Sequence, residues 1–188
     1  MSGAVGVPGD PRDFSPVMGP EERERLRGRG EAPPPDGPPQ PLPSHYSHCF
    51  GCGVEHPTGL HMRMAGSGLR VVGEFTVTEH HQGAPGLAHG GVVAAAMDEG
   101  MGFLLWLLQT LAVTAHLEVD FKRPVPVGAT LELEGEVERE EGRKIFASMT
   151  GRVDGEVAVE AHALFLKVQV KHFTPYAKEA AERPTYNP

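Results

Sequence analysis

The stretch Gly90-Gly-Val-Val-Ala-Ala-Ala-Met-Asp-Glu-Gly-Met-Gly-Phe-Leu-Leu-Trp-Leu-Leu108 decides how the rest of the chain must fold. It opens on paired glycines and is apolar at nearly every position except Asp98-Glu99. Its length predicts an α-helix over 90–111, about six turns. Val92, Val93, Ala94, Ala95, Ala96, Met97, Met101 and Phe103 to Leu108 leave no polar face. A helix apolar all round is buried all round. In a small domain one sheet must curl around it and a second layer must cover the rest. A bilayer span is the competing reading. Each of the two acids would cost roughly 2.5–3.5 kcal/mol at the centre of such a span, and Gly100 and Gly102 weaken it further. The expectation is therefore a core helix and no membrane.

Working outward, Leu60–Ala65 and Leu69–Val77 read as short strands joined by Gly66-Ser67-Gly68. After the helix come four strand-like runs. Thr114–Phe121 and Thr130–Glu138 alternate apolar and polar residues, the latter placing Leu131, Leu133 and Val137 opposite four glutamates. Ile145–Val153 and Glu156–Val170 are joined by Asp154-Gly155, a hairpin turn signal. Strands, one helix, then consecutive strands with tight turns predict an α+β domain with an antiparallel sheet. The last run is apolar on both faces near 157–166, which predicts contact with another subunit.

The chain has 188 residues, and 11 of its 18 prolines fall within residues 1–43. That arm has no apolar face to bury and reads as disordered. The folded domain is expected over 44–172, with a polar surface tail over 173–188. The net charge of −8 lacks the positive footprint of a nucleic-acid binder. Two cysteines make no disulfide framework, and no secretory signal is visible, so a cytoplasmic protein is expected.

The chemistry gathers at Gly86-Leu-Ala-His89-Gly90-Gly91 and at Asp98. Unpaired N–H groups at a helix start carry partial positive charge, and glycine lets a substrate oxygen reach them. This is how an oxyanion hole is built. Asp98 lies eight residues beyond Gly90, about two turns on and on much the same side. Burial should raise its pKa unless something hydrogen-bonds the ionised form. Lys122 and Arg123 end a strand, where they could meet phosphates or simply face solvent. Cys49-Phe-Gly-Cys52, near His45, His48 and His56, invites a zinc reading. There is no second cysteine pair, and the histidines are irregularly spaced, so no metal and no cofactor are expected.

Several spaced motifs resemble those of hotdog-fold acyl-CoA thioesterases, in the branch of phenylacetate-degradation-type and 4-hydroxybenzoyl-CoA-type enzymes. They are Cys49-Phe-Gly-Cys52-Gly53, His56-Pro57-Thr-Gly59-Leu60, His81-Gln82-Gly83-Ala-Pro85-Gly86-Leu-Ala-His89-Gly90-Gly91, Asp98-Glu99, and Val119-Asp-Phe-Lys-Arg-Pro124-Val-Pro-Val-Gly128. The match spans about residues 45–168. His56-Pro57 departs from the family's usual Asn-Pro.

The resemblance implies a five- or six-stranded antiparallel sheet around one central helix, paired into a double-hotdog homodimer, with a dimer of dimers also open. It implies hydrolysis of an acyl-CoA at a site between subunits. The N–H of Gly90 or Gly91 would polarise the thioester carbonyl. Asp98 of the partner chain would act as nucleophile or general base. His89 would fix the glycine turn, and Gln82 would hold the carbonyl or water. His81, Gly83, Lys122 and Arg123 would bind substrate. Two other readings stay open: a non-catalytic acyl-CoA-binding domain, and a hotdog dehydratase or hydratase.

Overall fold

The computed structural model describes residue 33 and residues 36–169. In chain order the strands are β1 (Gln40–Pro41), β2 (Arg63–Ser67), β3 (Arg70–Thr76), β4 (Gln82–Ala84) and β5 (Leu87–Ala88). Then come the helix α1 (Gly90–Leu107), β6 (Ala112–Phe121), β7 (Thr130–Glu141), β8 (Lys144–Val153) and β9 (Glu156–Lys167). Seven strands form one antiparallel sheet in the order β1-β2-β3-β7-β8-β9-β6, and α1 packs across it. This is the expected α+β architecture, with one strand more than the upper expectation because β1 adds to the edge.

The helix is a turn shorter than its apolar run. His89 caps its start, and its Nδ1 accepts from the Gly91 N–H at 2.9 Å. At the other end Gln109 takes a left-handed conformation, with φ of 50°. The Gln109 N–H bonds the Trp106 carbonyl at 3.0 Å and the Thr110 N–H bonds the Leu105 carbonyl at 3.1 Å. These two reversed bonds close a Schellman motif, which stops the helix without glycine or proline.

The core lies between α1 and the sheet. Met97, Met101 and Leu104 have no exposed surface and pack with Val71, Leu131, Ile145, Val159 and Phe165. This packing accounts for the helix's apolar composition. Met97, Met101 and Phe103 are core residues.

Two sequence expectations change. The arm boundary at residue 43 is too late, because Gln40 and Pro41 pair with Gly66 and Ala65, and Leu42 is buried. The rest of the arm before residue 36, apart from Pro33, and the tail over 173–188 lie outside the described residues. The helix is not buried on every side within one chain. Gly91 is exposed, and Ala94, Asp98, Gly102 and Leu105 form a half-buried stripe, whereas Ala96, Met97, Gly100 and Leu104 are enclosed. Strand β9 pairs on both sides, with β8 and β6. Among the described residues the edges of the sheet are β1 and β6, so backbone pairing with another chain would use one of these, whereas any contact through β9 would use its outer face.

Candidate active site

The segment from Thr78 to His89 is a compact loop that aims the helix. The His89 N–H bonds the His81 carbonyl at 2.8 Å, and the Ala88 N–H bonds the Val125 carbonyl at 2.9 Å. These ties fix the start of α1 against the segment that follows β6. Gly83 lies so close to His89 that a Cβ would come within 2.7 Å of the His89 Cα. The missing side chain is what admits His89. Gln82 also acts within the loop: its Oε1 accepts from the Gly86 N–H at 2.8 Å and its Nε2 donates to the Glu79 carbonyl at 3.1 Å. These two bonds hold the amide against the loop and leave its second N–H and second oxygen lone pair unused, so Gln82 positions the turn. His81 is only 2% exposed, edge-on to Phe75, and its Nδ1 accepts from the Thr78 N–H. It is a core residue of the loop and not a substrate contact.

Three of the first four helical N–H groups have partners. Gly91 donates to the His89 ring, and Val92 and Val93 both donate to the His89 carbonyl. Among the described residues the Gly90 N–H is the donor left over, which separates the two glycines that the sequence could not. Gly90 lines a cavity of about 260 Å³ with Ala88, Val93, Phe121, Lys122, Arg123 and Val125. The two cations at its rim are exposed and paired: Lys122 with Glu160 at 3.1 Å and Asp120 at 3.4 Å, Arg123 with Glu156 at 3.0 Å. The Lys122 ammonium is held above its usual pKa, chiefly by the hydrogen bond to Glu160. Exposed pairs of this kind are weak and exchange readily for a better anion.

Asp98 lies two turns along α1. Thr114 Oγ1 donates to its Oδ1 at 2.8 Å. Burial raises the Asp98 carboxyl above the usual carboxylate range, while the Thr114 bond works in the opposite direction. Thr114 reaches it because β6 carries a bulge between Thr114 and His116. The alternation of β6 marks Thr114 as polar, but only the bulge aims it at the helix.

A second polar cluster sits on the other side of Asp98. His45, Cys49, Cys52 and Glu99 bring their donor atoms within 4.8 Å of one another. Both cysteines are free. The Cys49 thiol is pulled down to about 3, first by the Cys52 hydrogen bond, and His45 is raised to about 10, first by Cys49 and then by Glu99. The Cys52 thiol is pushed up by Cys49 and by burial. Sequence spacing could not find this group, because Glu99 joins from the helix 50 residues after Cys49.

Residues 85–162 match the model of the thioesterase superfamily. The chain is 38% identical over 101 residues to the acyl-coenzyme A thioesterase THEM4 of Xenopus laevis, covering 53% of this chain and 46% of that protein. It thus spans a little under half the length of that curated relative. A crystal structure of a thioesterase superfamily protein aligns with TM-score 0.60 at 32% identity, over 64% of this chain and 60% of the other. A hypothetical thioesterase protein from Streptococcus pneumoniae, solved with coenzyme A, aligns with TM-score 0.52 at 18% identity, over 54% and 82%.

Proposed function

We propose that this chain carries a hotdog-fold domain of the thioesterase superfamily, which its residues 85–162 resemble, and that it hydrolyses an acyl-CoA thioester to a free carboxylic acid and CoA. One observation carries the reading. The helix N-terminus leaves the Gly90 N–H without a partner among the described residues, and Gly90 lines a cavity together with Lys122 and Arg123. A thioester oxygen placed there gains a hydrogen bond and the positive end of the helix dipole as charge develops on it. The rim cations suit the phosphates of CoA.

The carboxylate comes from a second protomer. Eight residues of helix separate Gly90 from Asp98, about 12 Å at 1.5 Å per residue. One chain's amide and its own Asp98 therefore cannot meet at one carbonyl carbon. Exposed Gly91 and the half-buried stripe of Ala94, Asp98, Gly102 and Leu105 offer the face on which a partner's helix start would lie. The proposed assembly is a homodimer with shared sites.

In that arrangement Asp98 acts as nucleophile or as general base. As base it takes a proton from water, whose oxygen adds to the carbonyl carbon. The C–S bond then breaks and the CoA thiolate leaves, a departure good enough to need no metal. Thr114 holds one carboxylate oxygen and leaves the other for the reaction. Thiol release from a panel of acyl-CoAs tests the reading. Binding without turnover would favour a non-catalytic acyl-CoA-binding domain.

A further inference from the structure

The geometry points to a closed, four-ligand structural zinc site made by His45, Cys49, Cys52 and Glu99, which ties the segment before β2 to the helix that carries Asp98. Zinc bonds of about 2.0–2.3 Å in tetrahedral array place donors about 3.3–3.8 Å apart. Here Cys52 Sγ lies 3.2 Å from His45 Nδ1, a Glu99 oxygen 3.4 Å from His45 Nδ1, and Cys49 Sγ 3.6 Å from both Glu99 oxygens. Three of the six donor pairs are thus already near the spacing a single zinc ion imposes, and all four donors lie within 4.8 Å of one another.

The local chain is shaped for such a site. The Gly51 N–H donates to Cys49 Sγ at 3.3 Å, and the Gly53 N–H bonds the Cys49 carbonyl at 2.9 Å. This turn brings both sulfurs of Cys49-Phe-Gly-Cys52 to one side, with amide hydrogens supporting a thiolate. Gly51 is also the residue against which Glu99 packs. A Cβ there would come within 2.3 Å of the Glu99 Cγ, so only glycine lets the helix carboxylate enter. Ser44 Oγ donates to Cys52 Sγ at 3.4 Å and supports the second sulfur.

The donor set is that of zinc: two soft thiolates, an imidazole and one carboxylate. Four protein ligands leave no open position for a reacting water, so the site is structural. Cys52 is 3% exposed, and the Glu99 side chain 17%. Glu99 adjoins Asp98 but faces away from it, about 100° round the helix. The metal would therefore brace the helix at the catalytic level without entering the reaction. Sequence alone argued against a metal because one Cys pair had no second pair. The missing ligand is supplied by the helix.

The test is elemental analysis of the full chain, purified with a thiol reductant and without chelator, then dialysed against zinc and against zinc-free buffer. About one equivalent of zinc per chain is expected to remain. Cobalt(II) exchanged into the same protein should show sulfur-to-cobalt charge transfer and the intense ligand-field bands of a tetrahedral centre. The Cys49→Ser, Cys52→Ser double variant should lose the metal, and Glu99→Gln should weaken binding by at least about 10-fold. Should the variants fail to fold, the cobalt spectrum of the unaltered chain still decides. Well under one equivalent after zinc loading, a Cys49–Cys52 disulfide that persists under reductant, a weak octahedral cobalt spectrum, or zinc retained undiminished in the double variant would each overturn the site. None of these readouts uses thioesterase activity, so failure here leaves the hydrolase reading standing.

Discussion

Thr114 donates to Asp98 across the gap between β6 and α1, at 2.8 Å. It fixes one oxygen of a carboxylate that burial alone would leave poorly oriented and more easily protonated. Asp98→Asn keeps the volume and removes both charge and basicity. It should lower kcat by at least about 10²-fold with KM little changed. Thr114→Val removes a hydrogen bond to a charged group and should lower kcat by about 10-fold. Steady-state kinetics on a hydrolysed acyl-CoA checks both. Equal effects on KM and none on kcat would place Asp98 outside the chemistry.

Gly90→Pro isolates the proposed oxyanion donor. Proline is well tolerated at the first helical position, and His89 already has the extended backbone that precedes proline, with φ of −68° and ψ of 135°. The variant removes the unpartnered N–H at the helix start and should leave the melting temperature nearly unchanged. Its kcat should fall by about 10²–10³-fold. Full activity in a folded Gly90→Pro protein would move the oxyanion site elsewhere.

The rim cations predict a different kinetic signature. Lys122→Ala with Arg123→Ala should raise KM for acyl-CoA several-fold, leave kcat close to unchanged, and flatten the dependence of KM on salt. Stability should change little, because the broken pairs are exposed. KM measured at two ionic strengths tests this.

Much of this was readable from the sequence, for identifiable reasons. The core helix and the four strands after it follow from periodicity that the packing respects, as at Leu131 and Leu133 of β7, buried between exposed glutamates. Where the helix stops was not readable, since a glutamine and not a glycine takes the left-handed position. The His81–Gly91 motif was found, but the jobs inside it were not. Whether Gln82 faces a ligand or folds back on Gly86 depends on the turn and not on residue type. The role of Glu99 was not readable, because spacing along a chain cannot show that residue 99 meets residues 45, 49 and 52.

Shared sites predict complementation. Gly90→Pro chains and Asp98→Asn chains, each nearly inactive alone, should regain activity when unfolded and refolded together. Random pairing makes about half the dimers mixed, each with one intact site, so about a quarter of normal activity should return. No recovery in a mixture that has formed dimers would place each site within one chain.

The most direct test of the central claim is thiol release from a panel of acyl-CoAs, with the unaltered chain and Asp98→Asn side by side. At least one acyl-CoA should be turned over by the unaltered chain, with loss of at least about 10²-fold in the variant. Acyl-CoA bound but never hydrolysed, or hydrolysed equally by both proteins, would contradict the account.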